Sequence, residues 1–216
     1  HALHIWPRGN YMLIALPNQD CSFTCTLFFP MKGNVSFKSL KTISHIASFF
    51  EEQFPDVIDL MPNVVHQYIS YPTSTLGTVR SEPWNVDDLA LIIGDAAHAI
   101  VPFFGQGMNA AFEDCTIFNA MMDDYSGEWK KMFSDFSEKR KQDTDAIADM
   151  AIENYIEMRD LVNDPGFLLT KQIERELGKK FPEKFIPRYS MVSFHRIPYA
   201  EVYARGQKQA AIVKEL

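Results

Sequence analysis

The chain is 216 residues long and carries 21 Lys plus Arg against 28 Asp plus Glu, a formal net charge of −7. That length fits one large domain or two small ones, and 46% hydrophobic with 23% charged residues is globular rather than disordered composition. The acidic balance argues against a general nucleic-acid binder, which needs a basic face to displace counterions. Cys21, Cys25 and Cys115 are too few and too unevenly spaced for a disulfide framework, and no apolar run approaches the ~18 residues of a spanning helix. The opening residue is His1 rather than methionine, and a strand-like segment follows almost at once. The chain is therefore expected to be the interior of a longer protein.

Residues 3–16, LHIWPRGNYMLIAL, read as two short strands around a turn at Pro7-Arg8-Gly9-Asn10. Phe23 to Phe29, rich in β-branched and aromatic residues, reads as a third. Together they predict an antiparallel meander. Leu40, Ile43, Ile46, Ala47 and Phe50 recur every three or four positions and predict a helix over 39–53, ended by Pro55. Residues 64–79 carry strand character, interrupted by Tyr68, Tyr71 and Pro72. LALII (89–93), a short apolar run before Gly94-Asp95, predicts a buried strand.

After Gly105-Gln106-Gly107 a helix is expected, with Met108, Ala111, Phe112, Cys115, Phe118 and Met122 on one face. Residues 128–145 read as a charged helical region whose run EKRKQDTD (138–145) forms a solvated face. An amphipathic helix is expected from about Asp143 to Val162, ended at Asn163-Asp164-Pro165-Gly166, and another over 167–178, closed by Gly178. The tail from Pro182 is mixed, and the chain contains no internal repeat or low-complexity tract. The expected organisation is α/β, with a sheet-bearing segment at 1–88, a strand–turn–helix segment at 89–125 and a helical region at 126–216.

The chemistry concentrates in residues 91–115, LIIGDAAHAIVPFFGQGMNAAFEDC. A strand ends in Gly-Asp, the chain crosses small residues, and a Pro-aromatic loop precedes a Gly-Gln-Gly helix start. Small residues let a backbone approach a ligand closely, and a helix N-terminus offers unpaired N–H groups to negative charge. Asp95 is then placed to accept hydrogen bonds from ligand hydroxyls. The plainer reading is a strand–loop–helix connection whose aspartate caps a turn. Further along, Ile147, Ala151, Asn154, Met158 and Leu161 follow helical spacing, so the Asn154 amide lies on an apolar stripe and needs a partner, a nearby carbonyl or a ligand. Tyr189, on its residue type alone, is an interface or core tyrosine. His1-x-x-His4 has the wrong spacing for two ligands on a helix face and no Cys/His cluster supports it, so no metal site is expected.

GDAAHAIVPFFGQGMNAAFED (94–114) resembles the second FAD-contacting motif of the flavin monooxygenases of the p-hydroxybenzoate hydroxylase type. HIWPR (4–8), SFTCTLF (22–28), NYIEMR (154–159) and Pro187-x-Tyr189-x-Met191-Val192, in that order, make the chain similar to the kynurenine 3-monooxygenase branch of that family. The resemblance implies FAD as cofactor, NADPH and O₂ as co-substrates, and hydroxylation of L-kynurenine to 3-hydroxykynurenine through a flavin C4a-hydroperoxide. It implies that Asp95 binds hydroxyls of the FAD chain, that Met108 and Asn109 lie against the pyrimidine end of the flavin ring, and that Gly105 and Gly107 permit that approach. Phe103 and Phe104 would wall the aromatic substrate, or simply be core residues. Asn154 and Tyr189 would bind the substrate's amino-acid end.

His98 is expected to be structural, and no residue is assigned as catalytic acid, base or nucleophile. The alternatives are a related hydroxylase or epoxidase of another aromatic substrate, or a non-catalytic interaction fragment. There is no G-x-G-x-x-G after a first strand. The resemblance thus implies a C-terminal part of the catalytic region that is inactive alone, with an N-terminal half of the same enzyme as partner. It also implies location on the cytosolic face of the mitochondrial outer membrane in eukaryotes, through an anchor beyond this chain.

Overall fold

A computed structural model describes residues 2–162 and 164–215. Asn163, part of the expected helix stop, and His1, part of the dismissed histidine pair, lie outside the described residues. The chain divides into two compact units, His1–Thr75 with Ile156–Asp164, and Leu76–Tyr155 with Pro165–Leu216.

In the first unit the expected meander forms, with β1 (His4–Pro7), β2 (Met12–Pro17) and β3 (Phe23–Phe28) antiparallel in that order. Ile5 pairs with Ile14 and Ala15 with Cys25. The β1–β2 turn closes through Arg8 N–H to the Tyr11 carbonyl at 2.8 Å. Met12, Leu13, Ile14 and Ala15 are all buried, so the central strand is covered on both faces. Helix α1 (Ile43–Gln53) starts later than its spacing suggested, because Thr42 caps it by accepting the His45 N–H. Its buried face is Ile46, Phe49 and Phe50, while Ile43 is exposed.

The strand expected over 64–79 is not observed. Val64–Ser70 is a helix, α2, and 71–79 is irregular. Val64 and Val65 are β-branched and favour a strand by propensity. Packing overrides that preference: Val64, Val65 and Tyr68 share one helix face and join the aromatic core of Tyr11, Phe49, Phe50 and Phe54.

In the second unit, β4 (Asn85–Val86) and β5 (Ala90–Leu91) form a two-stranded ladder. The buried strand expected at 89–93 is thus short and only partly covered: Leu91 packs against the core, but Leu89 is 81% exposed and Ile92 and Ile93 each 37%. Asp95 opens a one-turn helix, α3 (Asp95–His98), and a 3₁₀ turn at Pro102–Phe104 precedes α4 (Gly107–Tyr125). The face expected to be buried on α4 is largely the exposed one, since Met108, Phe112, Cys115 and Met122 face solvent while Ala110, Asp114 and Met121 are buried.

The two helices expected over 128–162 are one helix, α5 (Trp129–Ile156), followed by a π turn at Glu157–Leu161. Nor is the 138–145 run wholly solvated: Arg140 and Thr144 are buried at 0% and 1% exposure. Helix α6 (Pro165–Lys180) runs through Gly178 rather than stopping there, and the tail folds as α7 (Arg188–Phe194) and α8 (Tyr199–Lys214). The core here has two parts. One joins Phe104, Ala110, Ile147, Met150, Met191 and Val202. The other joins Trp84, Ala97, Met121, Met132 and Phe136.

Candidate functional site

The 94–114 segment is held by a buried ionic knot that sequence reasoning missed. Asp114 is fully buried, and its Oδ2 accepts the Gly94 N–H at 2.9 Å and lies 2.6 Å from His98 Nε2. Its Oδ1 accepts from Arg140 Nε at 2.8 Å. Arg140 also pairs with Glu113 at 2.8 Å and Asp143 at 3.4 Å. Burial works to raise the Asp114 pKa, but hydrogen bonds from His98, the Gly94 N–H and Arg140 outweigh it and hold the carboxyl below its usual range. His98, buried and lying 5.2 Å from Trp84 ring to ring, is part of this knot.

The knot fixes the start of α3 against the first turns of α4. Gly94 has φ +59°, and a Cβ there would sit 3.4 Å from the Ala111 Cβ. Asp95, one residue later, is exposed on the first turn of α3. On α4, Met108 (68% exposed) and Asn109 occupy the first turn and face solvent. N–H groups at a helix start lack intrahelical acceptors and carry the positive end of the helix dipole. Gly105 precedes them with φ +65°, a left-handed conformation that favours glycine, and a Cβ there would meet nothing within 4 Å. At Gly107 a Cβ would be 3.6 Å from Ile100 Cγ1, an ordinary contact. Asp95, Gly105, Gly107, Met108 and Asn109 therefore combine an exposed carboxylate, an open left-handed turn and an open helix N-terminus. These residues fit a flavin dinucleotide, which needs an acceptor for sugar-chain hydroxyls and donors at an electron-accepting ring.

Gln106, between the glycines, is a second residue that sequence reasoning passed over. It is buried, and its Oε1 accepts from Tyr199 Oη at 3.0 Å and from Asn109 Nδ2 at 3.0 Å. Burial first, then the Glu113 carboxylate, pushes the Tyr199 phenol up to about 12, so it stays protonated near neutrality. α8 thereby anchors the loop that opens α4.

The other four candidates meet around the 3₁₀ turn. Asn154 Nδ2 donates to the Phe103 carbonyl at 2.7 Å, so a carbonyl partner of the kind weighed from its position on the apolar stripe is present. The Phe103 ring lies 4.4 Å from Tyr155, and buried Phe104 stacks on Tyr189 at 5.8 Å. Phe104 is 9% exposed and packs with the core, whereas Tyr189 is 57% exposed. Among the described residues no cluster of three or more His, Cys, Asp or Glu could hold a metal, and no helix is long and apolar enough to cross a membrane.

Sequence signals for the missed residues existed in part. Asp114 closes the motif at Glu113-Asp114, but a carboxylate on a helix reads as solvated. Arg140 sits inside a charge run, and its partner lies 26 positions away.

Residues 59–149 match the family described as an FAD binding domain. Over all 216 residues the chain is 51% identical to a kynurenine 3-monooxygenase of Myxococcus xanthus, covering 46% of that protein, and 50% identical to one of Flavobacterium psychrophilum, covering 48%. A kynurenine 3-monooxygenase of Dictyostelium discoideum is 48% identical and half covered. The chain spans about half the length of the curated relatives it matches. The chain is thus similar along its whole length, at about half identity, to one half of these kynurenine 3-monooxygenases, and its central residues match an FAD binding domain.

Proposed function

We propose that the protein carrying this chain is an FAD-dependent monooxygenase that hydroxylates L-kynurenine with NADPH and O₂. The observation that carries the reading is the open N-terminus of α4, with Gly105 in a left-handed turn before it and Asp95 exposed on the helix the knot ties to it. The cofactor, when bound, supplies the redox and oxygen chemistry. This chain's residues bind and orient. Asp95 accepts hydrogen bonds from hydroxyls of the FAD chain. The N–H groups of Met108 and Asn109 stabilise negative charge at the pyrimidine end of the ring. Phe103 and Phe104 give the aromatic substrate an apolar wall that excludes water, and Asn154 and Tyr189 hold its amino-acid end. No residue of this chain is assigned as a proton donor or acceptor in hydroxylation.

The length of the relatives beyond this chain is the natural partner in this reading. In LALII, an unalternating apolar run of the kind found in strands covered on both faces, Leu89, Ile92 and Ile93 are exposed, as is the apolar stripe Met108, Phe112 and Met122 of α4. An N-terminal half carrying the nucleotide-binding fold would cover such surfaces. Attachment to the mitochondrial outer membrane, which family resemblance implies for eukaryotic members, is a separate proposal, tested by fractionating cells expressing the full-length protein. For the substrate, steady-state NADPH oxidation by that protein is measured with and without L-kynurenine. Asn154→Ala and Tyr189→Phe are expected to raise the KM for kynurenine while flavin content holds. Unchanged kinetics in both would retire the substrate assignment and favour another aromatic substrate.

A further inference from the structure

The residues immediately before Asn154 and Tyr189 are bonded to one another. Glu153, on α5, and Arg188, the first residue of α7, form an ion pair between Glu153 Oε2 and Arg188 Nη1. Tyr203 Oη, on α8, donates to the other carboxylate oxygen, Glu153 Oε1, at 3.2 Å. One helical turn further along α8, Gly206 leaves space for the Arg188 stem, since a Cβ there would stand 2.8 Å from Arg188 Cδ and 3.3 Å from Cγ. The side chains are 20% (Arg188) and 35% (Glu153) exposed, so the pair is partly shielded from solvent rather than a free surface contact. Helix stability does not account for the arginine, because a cation on a first turn opposes the helix dipole. The next residues in each helix then meet consecutive positions of one loop, Asn154 at the Phe103 carbonyl and Tyr189 at the Phe104 ring.

We propose that Glu153, Arg188, Tyr203 and Gly206 form a clamp that sets the spacing of Asn154 and Tyr189, and through them the affinity for the substrate's amino-acid end. The four are positioning residues: none need touch substrate. α8 acts as a brace, holding the carboxylate through Tyr203 and leaving the guanidinium its seat at Gly206. This inference rests on the substrate reading above and deepens it.

The test uses the full-length flavoprotein and L-kynurenine, with Glu153→Ala, Arg188→Ala, Arg188→Lys, Gly206→Ala and the double variant Glu153→Ala/Arg188→Ala. Displacing two binding groups by a fraction of an ångström is expected to raise KM about tenfold in Glu153→Ala and in Arg188→Ala, with kcat within about twofold and flavin content unchanged. The double variant should be no worse than either single, as for one coupled unit. Gly206→Ala, which keeps both charges but crowds the arginine stem, should reproduce the KM effect, and Arg188→Lys should recover part of it. If Asn154→Ala and Tyr189→Phe raise KM while the clamp variants do not, the clamp is wrong and the substrate reading stands. A loss of kcat and flavin content alongside KM would show general destabilisation and overturn the clamp. If Asn154→Ala and Tyr189→Phe also leave KM unchanged, the substrate reading falls and takes the clamp with it.

Discussion

Replacing Asp114 should damage the protein more than any other single change near the candidate flavin site. The carboxylate is fully buried and serves the Gly94 N–H, His98 and the equally buried Arg140. Asp114→Ala leaves that guanidinium with Glu113, itself 44% exposed, Asp143 at 3.4 Å and the Ala110 carbonyl at 3.4 Å, and with no fully buried carboxylate. Removing one partner of a buried pair costs about 3–5 kcal/mol, because the other charge stays desolvated. In urea, with a slope of about 2 kcal/mol/M, that shifts the midpoint down by roughly 1.5–2.5 M. Asp114→Asn keeps the shape but turns an amide N–H toward a donor, and should cost about 2–3 kcal/mol. The double variant Asp114→Leu/Arg140→Met removes both charges and should be milder than the sum of its singles. The assay is equilibrium unfolding followed by far-ultraviolet circular dichroism, with flavin content measured in parallel, since Gly94 positions Asp95. A midpoint shift for Asp114→Ala of under about 0.5 M at unchanged slope would refute the claim that the knot holds this segment.

Further outcomes follow from the same geometry. The Asp114 pKa is lowered in the fold, so its contribution is present above the unfolded value of about 3.9 and is lost as pH falls through the folded value. Acid titration of stability should therefore steepen below about pH 4 in the parent and less so in Asp114→Asn. Tyr199 behaves oppositely: its phenol rises to about 12, so its contribution is complete below about pH 10 and is lost as pH rises toward the folded value. Two pKa units correspond to about 2–3 kcal/mol, and denaturation midpoints at pH 9 and pH 11 should converge in Tyr199→Phe. Gly105→Ala meets no steric clash but forces a side chain into φ +65°, costing about 1–2 kcal/mol. If the flavin approaches there, this variant should also lose FAD affinity, read as cofactor released on gel filtration.

The parts of the fold and site that could be read from sequence are those built from neighbours along the chain. The meander was legible because Pro7-Arg8-Gly9-Asn10 is turn chemistry between short apolar runs, and the 94–114 motif because its glycines, aspartate and aromatics lie within one connection. What escaped was set by distant partners. α4 buries Asp114 rather than Phe112 because Arg140, on another helix, compensates the charge. The run 138–145 dips into the core for the same reason. Val64–Ser70 forms a helix because an aromatic cluster from α1 and β2 receives its face, overriding the β-preference of two valines. LALII reads as a covered strand, yet among the described residues it is only partly covered. Asn154 was placed on its stripe by periodicity, but its bond to the Phe103 carbonyl required the loop's position.

The most direct test of the central claim is the visible spectrum of the purified full-length protein, followed by NADPH consumption on addition of L-kynurenine. The account predicts a bound-flavin spectrum, kynurenine-stimulated NADPH oxidation and a hydroxylated kynurenine in the product, with Asp95→Ala losing the flavin. A colourless full-length protein that binds no added FAD, or a flavoprotein whose NADPH oxidation ignores kynurenine and yields no hydroxylated product, would contradict it.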